Sequence, residues 1–361
     1  MNVNSDPIDA PDSPRLSSLC RQLNELSELP DAQNQWPTKQ LELIADAGVY
    51  HWFIPEIYGG MHWSSPDIVA GYIKLSAACL TTTFVITQRV AAIKRICKSQ
   101  NETVRNRLLP GLLSGEAPAT VGISHLTTSR RHVKGSVLRA EQIVDGFSIN
   151  GFSPWVTGAC GAVNVVMGAQ MEDGRQVLFI APTDGKGIVV EPGFELVGLS
   201  GSKTGAVKCD HVFVPDEHVL AGPVENVLTQ GSGSATGSIQ TSALALGLAK
   251  SAIDFIQKES GSRPDLVDKQ LALAEQWDEI QDRLFKLASG MSVCTSEELR
   301  TEANSLVLRA TQSAMVAAKG AGYVEGHPVG RWCREALFFL VWSCPQAVLD
   351  ANLCELAGIQ S

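Results

Sequence analysis

No Cys-x-x-Cys pair occurs in this chain of 361 residues, although it carries nine cysteines: Cys20, Cys79, Cys97, Cys160, Cys209, Cys294, Cys333, Cys344 and Cys354. A zinc knuckle or a dithiol redox site therefore lacks its ligand spacing, and an odd, scattered count at this length argues against a disulfide scaffold. Most of the cysteines are expected to be buried small hydrophobes. No apolar run approaches the ~20 residues of a membrane-spanning helix. Basic residues are also scarce. Against 38 Asp+Glu stand 29 Lys+Arg, a formal charge of −9, so a nucleic-acid binder would lack its electrostatic footprint. The seven histidines form no His-Glu-x-x-His arrangement. A Gly-x-Ser-x-Gly elbow, a phosphate-cradling loop ending in Lys-Ser/Thr and a Gly-x-Gly-x-x-Gly after a strand are all missing.

What is present is apolar material, 44% of the residues against 19% charged. That is enough to bury a large core, and it excludes wholesale disorder. The length suggests roughly two or three domains. The polar, acidic start from Met1 to Pro14 does not follow the basic-then-apolar order of a secretion signal. It reads as a disordered or crossing arm on a cytoplasmic protein.

The hydrophobic period changes twice along the chain. Up to about Glu116 it is helical, with Leu41, Ile44, Ala45 and Gly48 on one face. Ser65-Pro66-Asp67 reads as a helix start, Ser99-Gln100-Asn101-Glu102 as a capping box, and Pro110-Gly111 as a stop. From Ala119 to Val219 the period is two. Strands are expected at 164–168, 176–180 and 207–214, divided by Asp145-Gly146, Asn150-Gly151, Asp173-Gly174 and Asp184-Gly185. Turns at that spacing without helices between them imply an antiparallel sandwich or barrel rather than βαβ units. After Gly231 the period is helical again through Leu244–Ile256, Gln270–Ala288 and Glu297–Lys319, the last opened by a capping box at Thr295–Glu298. A final helix over 331–357 should bend or divide at Pro345. The fold class is α+β: an N-terminal helical domain (1–118), a central antiparallel β domain (119–222) and a C-terminal four-helix-type bundle (223–361).

Within this frame the local strings resemble the acyl-CoA dehydrogenase family of flavoproteins. Ile54-Pro55-Glu56-Ile57-Tyr58-Gly59-Gly60 resembles its Pro-Glu-x-x-Gly-Gly turn, and 107–116 the stretch leading into its β domain. Asn150-Gly151-Phe152-Ser153-Pro154-Trp155-Val156-Thr157 resembles Asn-Gly-x-Lys-x-Trp-Ile-Thr. Val197–Ser202, Val212–Pro215, Arg263, Gly320–Tyr323 and Pro328–Arg334 follow in register. The resemblance implies FAD as cofactor, held by Ile123, Ser124, Trp155, Val156 and Thr157. Arg263 and Gly320 would approach the FAD of a neighbouring subunit in a homodimer or homotetramer. It further implies a small-molecule substrate, an acyl-CoA among the candidates, oxidised at a CH–CH group, with no nucleic acid and no membrane span.

The sequence departs from the family where the chemistry is expected. Counted from Arg334-Glu335-Ala336, the usual catalytic Glu position is Ser343; aligned on Gln346 instead, it is Trp342. The alternative base position of some members falls near Gly237-Ser238. None is a carboxylate, so no catalytic base is assigned, and Glu335 and Asp350 read as solvated or structural. The family's Ser-Asp pair ahead of the flavin wall becomes Arg130-Arg131, with Arg130 the candidate substrate contact. Val316 stands for a family Gln and Leu266 for a Phe, after a loop about four residues shorter. Three readings are therefore carried: an acyl-CoA dehydrogenase-like oxidoreductase with altered or weak dehydrogenase activity, a flavin-dependent monooxygenase or oxidase of a non-CoA substrate, and a non-catalytic flavoprotein paralogue.

Overall fold

The computed structural model describes residues 8–28, 34–126, 138–229 and 239–359. Helices α1 (Pro14–Glu25), α2 (Thr38–Asp46), α3 (Ser65–Ala78), α4 (Leu80–Lys98) and α5 (Glu102–Ser114) come first. The strands follow: β1 (Ala119–Gly122), β2 (Leu138–Ile143), β3 (Gly146–Val156), β4 (Asn164–Gln170), β5 (Gln176–Pro182), β6 (Ile188–Val190), β7 (Gly205–Pro215) and β8 (Val219–Val224). Helices α6 (Ile239–Ser260), α7 (Val267–Ala288), α8 (Ser296–Ala318), α9 (Pro328–Ala336) and α10 (Gln346–Leu356) close the chain. The helix–sheet–helix order is as the period changes predict, and the last helix does divide before Pro345.

Several local expectations are corrected. Helix α3 is capped by Ser64, not Ser65; the Ser64 hydroxyl accepts from the Asp67 N–H at 3.3 Å. Asn101, not Ser99, caps α5 by accepting from the Val104 N–H, while the Ser99 hydroxyl donates to the Leu220 carbonyl across to β8. Pro110 lies inside α5, which continues to a left-handed Gly115. It is tolerated because both Pro110 and Asn106 are exposed, so water can reach the carbonyl that a proline leaves unpaired. Gly48 lies beyond the end of α2, left-handed. Asn150-Gly151 is no turn; it is an irregularity within β3, where the register to β7 shifts. Four cysteines are buried, Cys79, Cys97, Cys209 and Cys344, whereas Cys160 is exposed and the others are partly covered. Of the N-terminal arm, residues 1–7 lie outside the described residues; Ile8 is buried and accepts from the Trp52 indole N–H.

The sheet is mixed. Its order is β6-β7-β3-β2-β4-β5-β8, mostly antiparallel, but β1 and one residue of β2 pair with β4 in parallel. Turn spacing reports only neighbours in sequence, so a pairing such as Ala119 with Asn164 left no local mark. Strands β4 and β5 alternate between two cores. Val165, Met167, Val177 and Phe179 pack among the strands, and Val166, Leu178 and Ile180 join the core of the helices. With both faces buried, these strands read as continuous apolar runs. Helix α6 is buried nearly all round from Thr241 to Ala249. At Gly247 any Cβ would meet the Ile73 carbonyl oxygen at 2.5 Å, so only glycine lets α6 cross α3 this closely. The Thr295–Glu298 capping box forms as predicted.

One charge is poorly placed in this core. Lys94 lies 5.2 Å from the Phe53 ring, and burial, with Lys98 and Arg95 nearby, pushes its pKa down to about 8. The unfolded chain then binds the proton more tightly than the folded one, so stability from this group rises between pH 8 and the free-lysine range. Lys94→Met should therefore stabilise the protein by about 1–2 kcal/mol at pH 7. Denaturant midpoints should show the gain shrinking as the pH is raised past 8; a gain that is constant with pH would contradict it.

Candidate functional site

The flavin-wall string ends β3. Trp155 keeps 45% of its surface exposed and meets Phe194 edge-on at 5.0 Å. The Val156 side chain points into the sheet core and is fully buried, which leaves only its backbone to face outward. Thr157 is buried too; its carbonyl accepts from the Thr120 hydroxyl at 2.6 Å. Its own hydroxyl lies 2.9 Å from that of Thr204, which lies 2.9 Å from that of Ser202. Three hydroxyls thus form a chain ending at Thr157. Ile123 and Ser124 follow β1, half-buried at the start of a short 3-10 turn. A Cβ at Gly122 would stand 3.0 Å from both Ser153 and Val156, so this turn lies against β3. His125 extends the contact: its Nε2 is 2.7 Å from the Gly168 carbonyl, so it donates there, and Nδ1 is left to accept from Ser153 at 3.4 Å.

Beyond Thr157 the chain turns sharply. Gly158 is left-handed at φ 66°, and a Cβ there would stand 2.6 Å from Trp36 and 3.7 Å from Val85. Gly161 is equally close to Trp36, and its carbonyl accepts from Arg89 of α4 at 3.3 Å. Helix α4 therefore braces the turn. Its next residue over, Phe84, joins a second cluster: Phe84 meets Trp342 edge-on at 5.0 Å, and Trp342 stacks on Phe338 at 4.7 Å. Trp342, next to Ser343, and the turn at Gly158 thus meet neighbouring residues of α4, Phe84 and Val85.

Ser343 itself is left-handed at φ 46°. Behind it lies Arg300 of α8, fully buried, whose Nη2 donates to the Phe339 and Trp342 carbonyls at 3.4 and 3.3 Å. Asn304 donates to the same Phe339 carbonyl at 3.0 Å. Burial pushes the Cys344 thiol up, with Arg300 pulling the other way. Glu335 is not solvated; it is buried, 3.8 Å from Arg331, and accepts from the Thr81 hydroxyl at 3.4 Å. Asp350 is exposed and accepts from Gln346.

Arg263 and Gly320 come together elsewhere. Arg263 Nη1 donates to the Ala317 carbonyl at 2.6 Å, and Nη2 lies 3.5 Å from Asp265. A Cβ at Gly320 would meet nothing within 4 Å among the described residues, so no contact with them demands a glycine there. Val316 (74% exposed) and Tyr323 (90%) flank it. Arg130, Arg131, Gly237 and Ser238 lie outside the described residues. Sequence reasoning missed Thr204, Ser202, Trp36, Phe84 and Arg300. Only Ser202 lay within a string already singled out.

A helical layer, a mixed sheet and a second helical layer, with an exposed indole at the end of β3, define a three-part helix–sheet–helix architecture. Residues 19–116 match the family model described as acyl-CoA dehydrogenase, N-terminal domain. The chain is 23% identical over 340 residues to the probable acyl-CoA dehydrogenase YngJ of Bacillus subtilis (strain 168), covering 86% of this chain and 87% of that one. It is 25% identical over 332 residues to the mitochondrial isovaleryl-CoA dehydrogenase of Oryza sativa subsp. japonica, covering 86% and 81%. Its fold is similar to that of butyryl-CoA dehydrogenase from Megasphaera elsdenii, with TM-score 0.80, 18% identity and coverage of 99% and 100%. Residues 19–116 are thus similar to the N-terminal domain of acyl-CoA dehydrogenases, and the chain as a whole shares the fold of such an enzyme.

Proposed function

We propose that this protein is a FAD-dependent oxidoreductase acting on a CH–CH group, with altered or weak acyl-CoA dehydrogenase activity. The observation that carries the second half is the loop at Ser343. The family resemblance puts the proton-abstracting carboxylate at this position, and the loop's residues from Val341 to Pro345 include none. A serine hydroxyl carries no charge with which to take a proton from carbon near neutral pH. The same observation favours a flavin-dependent monooxygenase or oxidase of a non-CoA substrate as the second reading, because such chemistry needs no base at that position.

The residues at the end of β3 fit a flavin. A half-exposed indole beside a hydroxyl chain suits a flat, apolar ring with a polar edge. When bound, FAD supplies the two-electron acceptor. Trp155 would cover one side of the ring and exclude water. A hydroxyl has one proton to give and can accept twice. With Ser202 donating to Thr204 and Thr204 to Thr157, the Thr157 proton stays available to the flavin edge. Ile123, Ser124 and the Val156 backbone would line the same side.

Arg263, anchored through Ala317, has donors left for a phosphate, and Gly320 with exposed Val316 and Tyr323 supports a second subunit there, in a homodimer or homotetramer. Arg130 remains the proposed substrate contact. Trp155→Ala is expected to weaken FAD retention by at least roughly tenfold, the effect of about 1.4 kcal/mol, as read by equilibrium dialysis. Unchanged retention would remove Trp155 from the site.

A further inference from the structure

We infer that Arg300, with Asn304, is a positioning clamp that fixes the Phe339–Cys344 segment and thereby sets where residue 343 stands. Arg300 is fully buried in α8, and among the described residues its hydrogen bonds go to main-chain carbonyls, none to an acid. Burial, against a smaller pull from Cys344, brings its pKa down to about 10, so its charge is held at a cost. Its Nη2 serves two main-chain carbonyls, Phe339 and Trp342, which bracket the stretch ending at Ser343. Its charge lies 5.7 Å from the Phe339 ring centroid, and Asn304 adds a second donor on the Phe339 carbonyl. The remaining nitrogens, Nε and Nη1, have no acceptor among the described residues, and Asn304 Oδ1 has no donor there. An arginine that merely filled space here would be replaceable by an apolar side chain with a gain in stability.

The segment it grips would not keep its shape unaided. Ser343 lies in the left-handed region, which is unfavourable for a residue with a Cβ, and Val341 leaves the helical geometry of Leu337–Leu340 before it. Two carbonyls, of Phe339 in the core and of partly buried Trp342, are tied to one planar guanidinium that holds the strained turn in register. Trp342 is then fixed against Phe338 and Phe84, and Phe84 is one residue from the Val85 contact to Gly158. The clamp therefore acts on residue 343 and on the packing of Trp342 against Phe84 together. Its bearing on chemistry rests on the flavin reading proposed above; its bearing on the loop does not.

Cys344 reports on the clamp directly, since it is buried one residue beyond Ser343. The full-length protein, with and without added FAD, would be alkylated with iodoacetamide, and Cys344 and Cys209 followed by peptide mass. In Arg300→Met, loss of the neighbouring positive charge alone should slow Cys344, because Arg300 lowers its pKa. Opening of the loop should instead speed it. We expect Cys344 to react at least roughly tenfold faster, as for a segment released to local opening, with Cys209 in β7 unchanged. Arg300→Lys, which keeps a charged donor, should restore most of the protection and any flavin band displaced in Arg300→Met. If Arg300→Met does not fold, Asn304→Ala should give a smaller rise confined to Cys344. Slower labelling of Cys344, equal acceleration of both cysteines, or no rescue by lysine would each overturn the clamp. Failure of every variant and of the wild type to take up FAD would overturn the flavin reading and leave the labelling result to decide the clamp.

Discussion

Saturated acyl-CoA thioesters of several chain lengths, mixed anaerobically with the FAD-loaded protein, are expected to leave the flavin oxidised, or to bleach it ~10²–10⁴-fold more slowly than a site with a positioned carboxylate base. The expectation follows from the loop at Ser343. Its neighbours on the chain are Trp342 and Cys344, and burial raises the Cys344 thiol pKa, which keeps it protonated near neutral pH. Glu335 is tied to Arg331 and Thr81 inside the helical core, where its charge is already committed. Ser343→Glu asks whether only the base is missing. Ser343 already bears the left-handed backbone cost of an L-residue, so the turn need not change, but a carboxylate grafted into an unadapted site should return slow bleaching rather than full activity. Fast bleaching of the wild-type protein by any of these thioesters would contradict this reading of the loop.

The second large effect is on stability. Trp52→Ala should destabilise the fold by about 3–5 kcal/mol, the range for truncating a buried aromatic. Trp52 is fully buried, stacks on Trp63 at 4.1 Å with the rings 6° apart, and donates from its indole N–H to the Ile8 carbonyl at 3.1 Å. A Cβ at Gly71 would lie 2.8 Å from its ring, so α3 has been shaped around it. Losing the indole leaves a large cavity and an unpaired buried carbonyl, and it frees the chain before α1. Denaturant unfolding should show a lower midpoint; a loss below about 1 kcal/mol would mean that the core closes over the gap.

How much of this was legible from the sequence depends on distance along the chain. The two changes of hydrophobic period located the three structural layers, because amphipathicity is a local property. The capping box at Thr295 was legible for the same reason, its two partners lying three residues apart. Caps failed where several polar residues compete: Ser64 and Ser65 are equivalent in sequence, and only the Asp67 N–H selects between them. Pro110 failed as a stop because its solvent exposure, a tertiary fact, decides what a missing hydrogen bond costs. The parallel β1–β4 pairing and the grip of Arg300 on Trp342 join residues more than forty positions apart, and no periodicity records such contacts. Around the site, family strings led to Trp155 and Thr157, whereas the supports, Trp36, Phe84 and Thr204, lie outside any motif and appear only through packing.

The most direct test of the account is FAD binding by the purified wild-type protein, followed by its visible spectrum after removal of free flavin. The account predicts saturable, stoichiometric uptake with a bound-flavin band displaced from that of free FAD, and loss of that band in Trp155→Ala. A folded protein that remains colourless after exposure to excess FAD would contradict it.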